Sequence, residues 1–148
     1  MTNDEFWSLI DLLDWEKTGD DEAVIEPLVK SLSQKAEEEI LAFEDILSEK
    51  LFNLDAEVFA SKRNIFGFKK KNEYISADDF LYSRCTVVAN GPEFYDEVIR
   101  NPRKFPHDLD FEIILVVATV AFIRKTGKEW DYVPKVSYET FSNKEAWK

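Results

Sequence analysis

The chain has 148 residues, with 30 Asp and Glu against 19 Lys and Arg and a formal charge of -11. Hydrophobic residues make up 45% and aromatic residues 14%, too apolar for a disordered chain and enough for one packed domain. The charge argues against nucleic-acid binding, which uses a basic face, and the single histidine, His107, excludes any site needing two imidazoles.

The predicted elements are helical from the start. A first helix is expected over Asp4 to Lys17, with Thr2 or Asn3 as its cap and Glu5 completing a capping box. Phe6, Leu9, Ile10 and Leu13 fall on one face of it at 3.6 spacing, which Trp7 extends. A second opens at Asp20 and Asp21, whose carboxylates suit a helix N-terminus, and ends near Leu32. Pro27 either kinks this helix or lies in the first turn of a later one. Ser33 is expected to cap a long helix through Asn53 with Ile40, Phe43, Leu47 and Leu51 as its seam. Another runs from Asp55 to Phe66 and stops at Gly67.

The stretch Phe68 to Ile75, with Lys69, Lys70 and Lys71, reads as an exposed loop. Ser76 with Asp79 starts a helix through Asn90, and Pro92 opens the next, which Pro102 ends. Residues Asp110 to Lys125 form a helix that is apolar nearly all round and is expected at the centre of the bundle. From Lys128 onward Trp130, Tyr132, Tyr138, Phe141 and Trp147 follow no period, an irregular tail whose aromatics either pack or present a binding strip. All four glycines (Gly19, Gly67, Gly91 and Gly127) follow apolar-periodic segments, where a helix C-cap needs positive φ. The sum is an all-α, single-domain bundle of about six or seven helices, with residues 1–127 as helical core and 128–148 as packed tail.

The longest apolar stretch, Phe111 to Phe122, contains Glu112 and Thr119 and falls short of the roughly 20 residues a membrane span needs. The acidic N-terminus is unlike a secretory or transit peptide, and Cys85 alone cannot form an internal disulfide. A cytoplasmic location and no membrane partner are therefore expected.

Charge is uneven. Residues 1–60 hold 17 acids against Lys17, Lys30, Lys35 and Lys50, a balance of -13, while residues 61–148 hold 13 acids and 15 bases, a balance of +2. The candidate binding face comprises Asp11, Asp14, Glu16, Asp20, Asp21, Glu22, Glu37, Glu38, Glu44 and Asp45.

No arrangement calls for catalysis. The acid runs belong to solvated helix faces rather than to a desolvated acid–base pair. Asp108-x-Asp110-x-Glu112 lacks the glycine and distal glutamate of a calcium loop and reads as acids at a helix N-terminus. Cys85 reads as a small core residue rather than a nucleophile paired with His107. No phosphate-binding glycine loop, serine elbow or zinc spacing is present, so no cofactor and no metal are expected.

Three blocks carry a resemblance: Glu5-Phe6-Trp7-Ser8-Leu9-Ile10-Asp11; Glu38-Glu39-Ile40-Leu41-Ala42-Phe43; and Asp78-Asp79-Phe80-Leu81-Tyr82-Ser83-Arg84, followed by Val88-Ala89-Asn90-Gly91 and Tyr95. In order and spacing they resemble an uncharacterised bacterial family, domain of unknown function 4240, over residues 1–127. The pattern departs after Leu54, where the family's usual Trp and Gly-Gly are absent and the Lys69–Lys71 loop stands instead. The resemblance implies a helical fold and no catalytic assignment.

The expected function is a non-enzymatic protein-binding module with a basic protein partner. Its most concrete form is an acidic immunity protein that neutralises a nuclease-type toxin, because such toxins carry basic substrate grooves. The alternatives are a regulatory domain using the aromatic tail as its contact surface, and an enzyme using buried carboxylates.

Overall fold

Thr2 closes the first turn of helix α1 (Asn3–Ile10): its Oγ1 accepts from the Glu5 N–H at 3.1 Å. The computed structural model describes residues 1–61 and 76–148. Among these, all regular elements are helical. They fall into two compact units, residues 1–48 with 113–135 and residues 49–112 with 136–148.

In the first unit α1 buries Phe6, Leu9 and Ile10 and then stops, seven residues short of the expected Lys17. The Leu12 and Leu13 N–H groups reach back only three residues, to the Leu9 and Ile10 carbonyls, and the Asp14 N–H donates to the Val24 carbonyl at 2.9 Å. The tight turn still buries Leu13, so the apolar period survives although the helix does not. A 3-10 turn (Trp15–Lys17) follows, with the Asp14 carboxylate accepting from the Glu16 N–H.

Helix α2 (Asp21–Ser33) is capped by Asp20, which accepts from the Ala23 N–H. It buries Val24, Ile25, Leu28, Val29 and Leu32 and runs through Pro27, which settles the proline as an interior one. Ser33 does not cap α3; its hydroxyl donates back to the Lys30 carbonyl at 2.8 Å. Helix α3 (Glu37–Asn53) buries the expected seam of Ile40, Phe43, Leu47 and Leu51. Phe43 meets Phe6 with ring centroids 5.0 Å apart. Each such side chain removed from water contributes on the order of 1.5–3 kcal/mol.

The apolar 110–125 segment starts as a 3-10 turn (Glu112–Val116) and becomes a helix later in its length. This helix, Val117–Thr126, packs on α2 and ends at Gly127, whose φ of 68° supplies the left-handed cap. It is not enclosed as expected: Val116, Val120 and Ile123 remain 40%, 36% and 47% exposed.

In the second unit α4 covers only Glu57–Ala60, because Ser61 turns extended. The Phe66 and Gly67 end expected for this helix, like the Lys69–Lys71 loop, lies outside the described residues. Helix α5 (Ala77–Ala89) is capped by Ser76, whose hydroxyl accepts from the Asp79 N–H. It is the enclosed helix, with every residue from Ser83 to Ala89 buried, together with Phe80 and Leu81. Polar residues are tolerated there because each finds a partner: Ser83 donates to the Leu109 carbonyl at 2.7 Å, and Thr86 to that of Tyr82. Helix α6 (Pro92–Arg100) begins at the proline and buries Tyr95 and Val98; the helix over Val117–Thr126 is α7. Phe105 packs on Phe59 and Phe80, with centroids 6.1 and 5.4 Å away.

Candidate functional site

The ten carboxylates expected to form one face take different roles. Six of them, Asp11, Asp14, Glu16, Asp20, Asp21 and Glu22, lie within twelve residues and share that segment with one base, Lys17. Asp14 and Asp20 cap backbone N–H groups; Asp11, Glu16, Asp20, Asp21 and Glu22 are exposed. The short α1 places two apolar side chains among them, Leu12 at 40% and Trp15 at 43% exposure. A partly exposed indole in so acidic a stretch of chain has the composition of an interface anchor, since Trp is enriched where binding energy concentrates.

On α3, Glu38 is exposed, and Glu37 forms a long ion pair with Lys128 at 3.8 Å. The remaining two carboxylates leave the expected face. Asp45 is occupied by the tail: its Oδ2 accepts from the Tyr132 hydroxyl at 2.7 Å and its Oδ1 from the Lys135 N–H at 3.1 Å. Glu44 is only 5% exposed, and burial, with a smaller contribution from Asp45, pushes its carboxyl up to about 7. The period contained the warning: Glu44 stands four residues after Ile40 and three before Leu47, on the seam itself. A raised carboxyl is what a general acid requires, but at this burial Glu44 offers a substrate little access.

The second unit contains a polar cleft of about 250 Å³ lined by Asp79, Ser83, His107, Asp108, Leu109 and Asp110. Asp79 and Ser83 sit one turn apart on α5, opposite the loop preceding Glu112. Asp108 and Asp110 thus line an acidic recess, beyond their expected place before a helix. Among the described residues no group of three or more His, Cys, Asp or Glu is placed to hold a metal ion. His107 is buried, its Nε2 2.9 Å from the Phe59 carbonyl oxygen and its ring edge-on to Phe105. Burial pushes the Cys85 thiol up to about 12, so it stays protonated near neutral pH, as a core cysteine does.

A third constellation has no counterpart in the sequence reading. Asp55 is fully buried, and the tail supplies three donors to its carboxylate. The Phe141 N–H (3.1 Å) and the Trp147 indole N–H (2.9 Å) reach Oδ1, and the Asn143 N–H (2.9 Å) reaches Oδ2. Arg84, also fully buried, donates to the Leu51 carbonyl at 2.9 Å and to the Thr140 hydroxyl at 3.0 Å, with its guanidinium 4.7 Å from the Phe80 ring centroid. Burial lowers the Arg84 pKa, and the charge of Asp55 works in the opposite direction. Phe141 adopts a φ of 75°, a conformation costing a bulky residue about 1–3 kcal/mol. Partners 86 to 92 residues apart leave no local signal to find.

Compared with known families, residues 1–124 match the model described as "Protein of unknown function (DUF4240)". The chain belongs to that family. All three blocks lie inside the DUF4240 match, and each supplies a buried helix face: Phe6, Leu9 and Ile10 on α1; Ile40 and Phe43 on α3; Phe80, Leu81, Ser83 and Arg84 on α5. The DUF4240 match ends before the tail that holds Asp55 and Arg84. No curated protein and no solved structure matches the chain. No helix among the described residues is long and apolar enough to cross a membrane.

Proposed function

We propose that this protein is a binding module for a basic protein partner, most concretely an immunity protein that neutralises a nuclease-type toxin. The observation that carries the reading is the 11–22 segment, which holds six carboxylates together with the partly exposed side chains of Leu12 and Trp15. The charges steer a cationic groove toward the segment over a Debye length of about 8–10 Å, and Trp15 gives the docked complex a desolvated anchor. A toxin whose substrate groove is so covered loses access to nucleic acid. The chemistry is masking, with no bond made or broken by this chain.

The test is co-expression with the product of an adjacent toxin-like gene, followed by association and dissociation rates at 50 and 500 mM salt. Association is expected to slow at least tenfold with salt. Replacing Asp11, Glu16, Asp21 and Glu22 by their amides should slow it comparably at low salt, whereas Trp15→Ala should speed dissociation. Salt-independent association, or a complex indifferent to all five substitutions, would overturn the reading.

A further inference from the structure

The Asp55 clasp is built unlike the rest of the second unit. Among the described residues, every hydrogen bond to the Asp55 carboxylate comes from residues 141–147. The tail is also received by two carbonyls: Ala77 accepts from the Thr140 hydroxyl at 2.8 Å and Phe52 from the Asn143 side-chain amide at 3.2 Å. Trp147 stands edge-on to Phe80, with centroids 6.0 Å apart, and Phe141 packs on Trp147 at 4.6 Å.

The floor therefore consists of a carboxylate, a guanidinium, two carbonyls and a phenyl ring. It reads two backbone N–H groups, a hydroxyl, a side-chain amide and an indole. That is how a groove recognises a peptide segment: backbone donors give affinity and a few side chains give selectivity. The segment it holds has the marks of a ligand rather than of a core element. It is irregular apart from the 3-10 turn Lys144–Trp147, its Phe141 side chain is 57% exposed, and it is held in a strained backbone at Phe141. It also lies wholly beyond the family-matched residues, whereas Asp55, Arg84 and Phe80 lie within them.

We propose that the Asp55–Arg84–Phe80 surface is a peptide-recognition groove, that residues 136–148 are its resident ligand, and that this ligand leaves as a unit while the helices stay folded. The ligand class is a peptide offering two N–H groups two residues apart, a hydroxyl just before them and an indole four residues after. Release uncovers a carboxylate and a guanidinium together, so the vacated groove takes another segment of the same chemistry.

The test uses the intact, ¹⁵N-labelled chain and native-state hydrogen exchange. The amides of Phe141 and Asn143 should exchange at least tenfold faster than those of Val87 and Val88 in α5, with a weaker dependence on urea because little surface opens. Adding unlabelled peptide with the sequence of residues 136–148 should raise the Phe141 and Asn143 rates in proportion to its concentration, by trapping the open groove against a tether of millimolar effective concentration. A scrambled peptide of the same composition should leave them unchanged. Exchange of the tail amides at the rate and urea dependence of α5 would overturn the proposal by making the tail part of the cooperative core. Rates unmoved by the native peptide, or moved equally by the scrambled one, would overturn the recognition groove.

Discussion

Glu44 is a buried carboxyl whose titration falls in the neutral pH range. Its carboxyl lies near 7 in the folded chain against an ordinary 4.5. Below about pH 4.5 it is protonated in both folded and unfolded chains, and its burial carries no charge penalty. As the pH rises to about 7 the unfolded chain gives up the proton first, so stability falls across that window by up to roughly 3 kcal/mol. Urea unfolding between pH 4.5 and 7.5 should show this decline in the wild type and a flatter profile in Glu44→Gln. Parallel profiles would place the titration elsewhere. Asp55 and Glu44 are both buried carboxylates with different solutions. One is surrounded by donors, while the other has an Oε2 with no hydrogen-bond partner among the described residues.

At the scale of elements, Pro27 interrupts the hydrogen-bond ladder of α2 at its middle. Proline there lacks the donor for the Ala23 carbonyl, and part of its cost is recovered because it also restricts the unfolded chain. Pro27→Ala should therefore raise stability by about 1–3 kcal/mol, seen as a higher urea midpoint at constant slope. An unchanged midpoint would mean that the ring's packing offsets the lost bond. The helices themselves were legible where caps and period agreed: Asp20 for α2, Ser76 for α5 and Pro92 for α6. They misled where an apolar period continued through a turn, as at Leu13, which stays buried without a helix under it. The enclosed helix is instead α5, which hides Ser83 and Arg84 behind partners from distant segments and Thr86 behind the Tyr82 carbonyl one turn back. Composition alone made the 110–125 segment look like the better centre. The tail's irregularity was readable from its lack of period; its anchoring on Asp45, Asp55 and Arg84 was not.

For the whole molecule, the excess of negative charge on residues 1–60 is a repulsive term that the fold must outweigh. Raising salt from 0.1 to 1 M shortens the screening length from about 10 to about 3 Å and should raise the Tm by roughly 2–4 °C. The exposed Glu26–Arg124 pair, bidentate at 2.6 and 3.0 Å, opposes this only weakly, since such pairs contribute about 1 kcal/mol or less. A fall in Tm with salt would show that attractive pairs outweigh the repulsion. The candidate binding face was only partly legible for the same reason that the charge was. A count of carboxylates does not distinguish those facing water from Glu44 in the core or Asp45 engaged by Tyr132.

The clasp also sets how the chain would respond to load. The contacts of Trp147, Asn143, Phe141 and Thr140 follow one another along the tail, so a pull on Lys148, unlike spontaneous release, strips them in sequence. Thirteen residues at 3.3–3.6 Å each span at most about 45 Å when fully drawn out, which bounds the lengthening of a tethered molecule before any α-helix yields. A handle fixed at that end thus loads a weak, serial fastening first, and the helices only after it has given way.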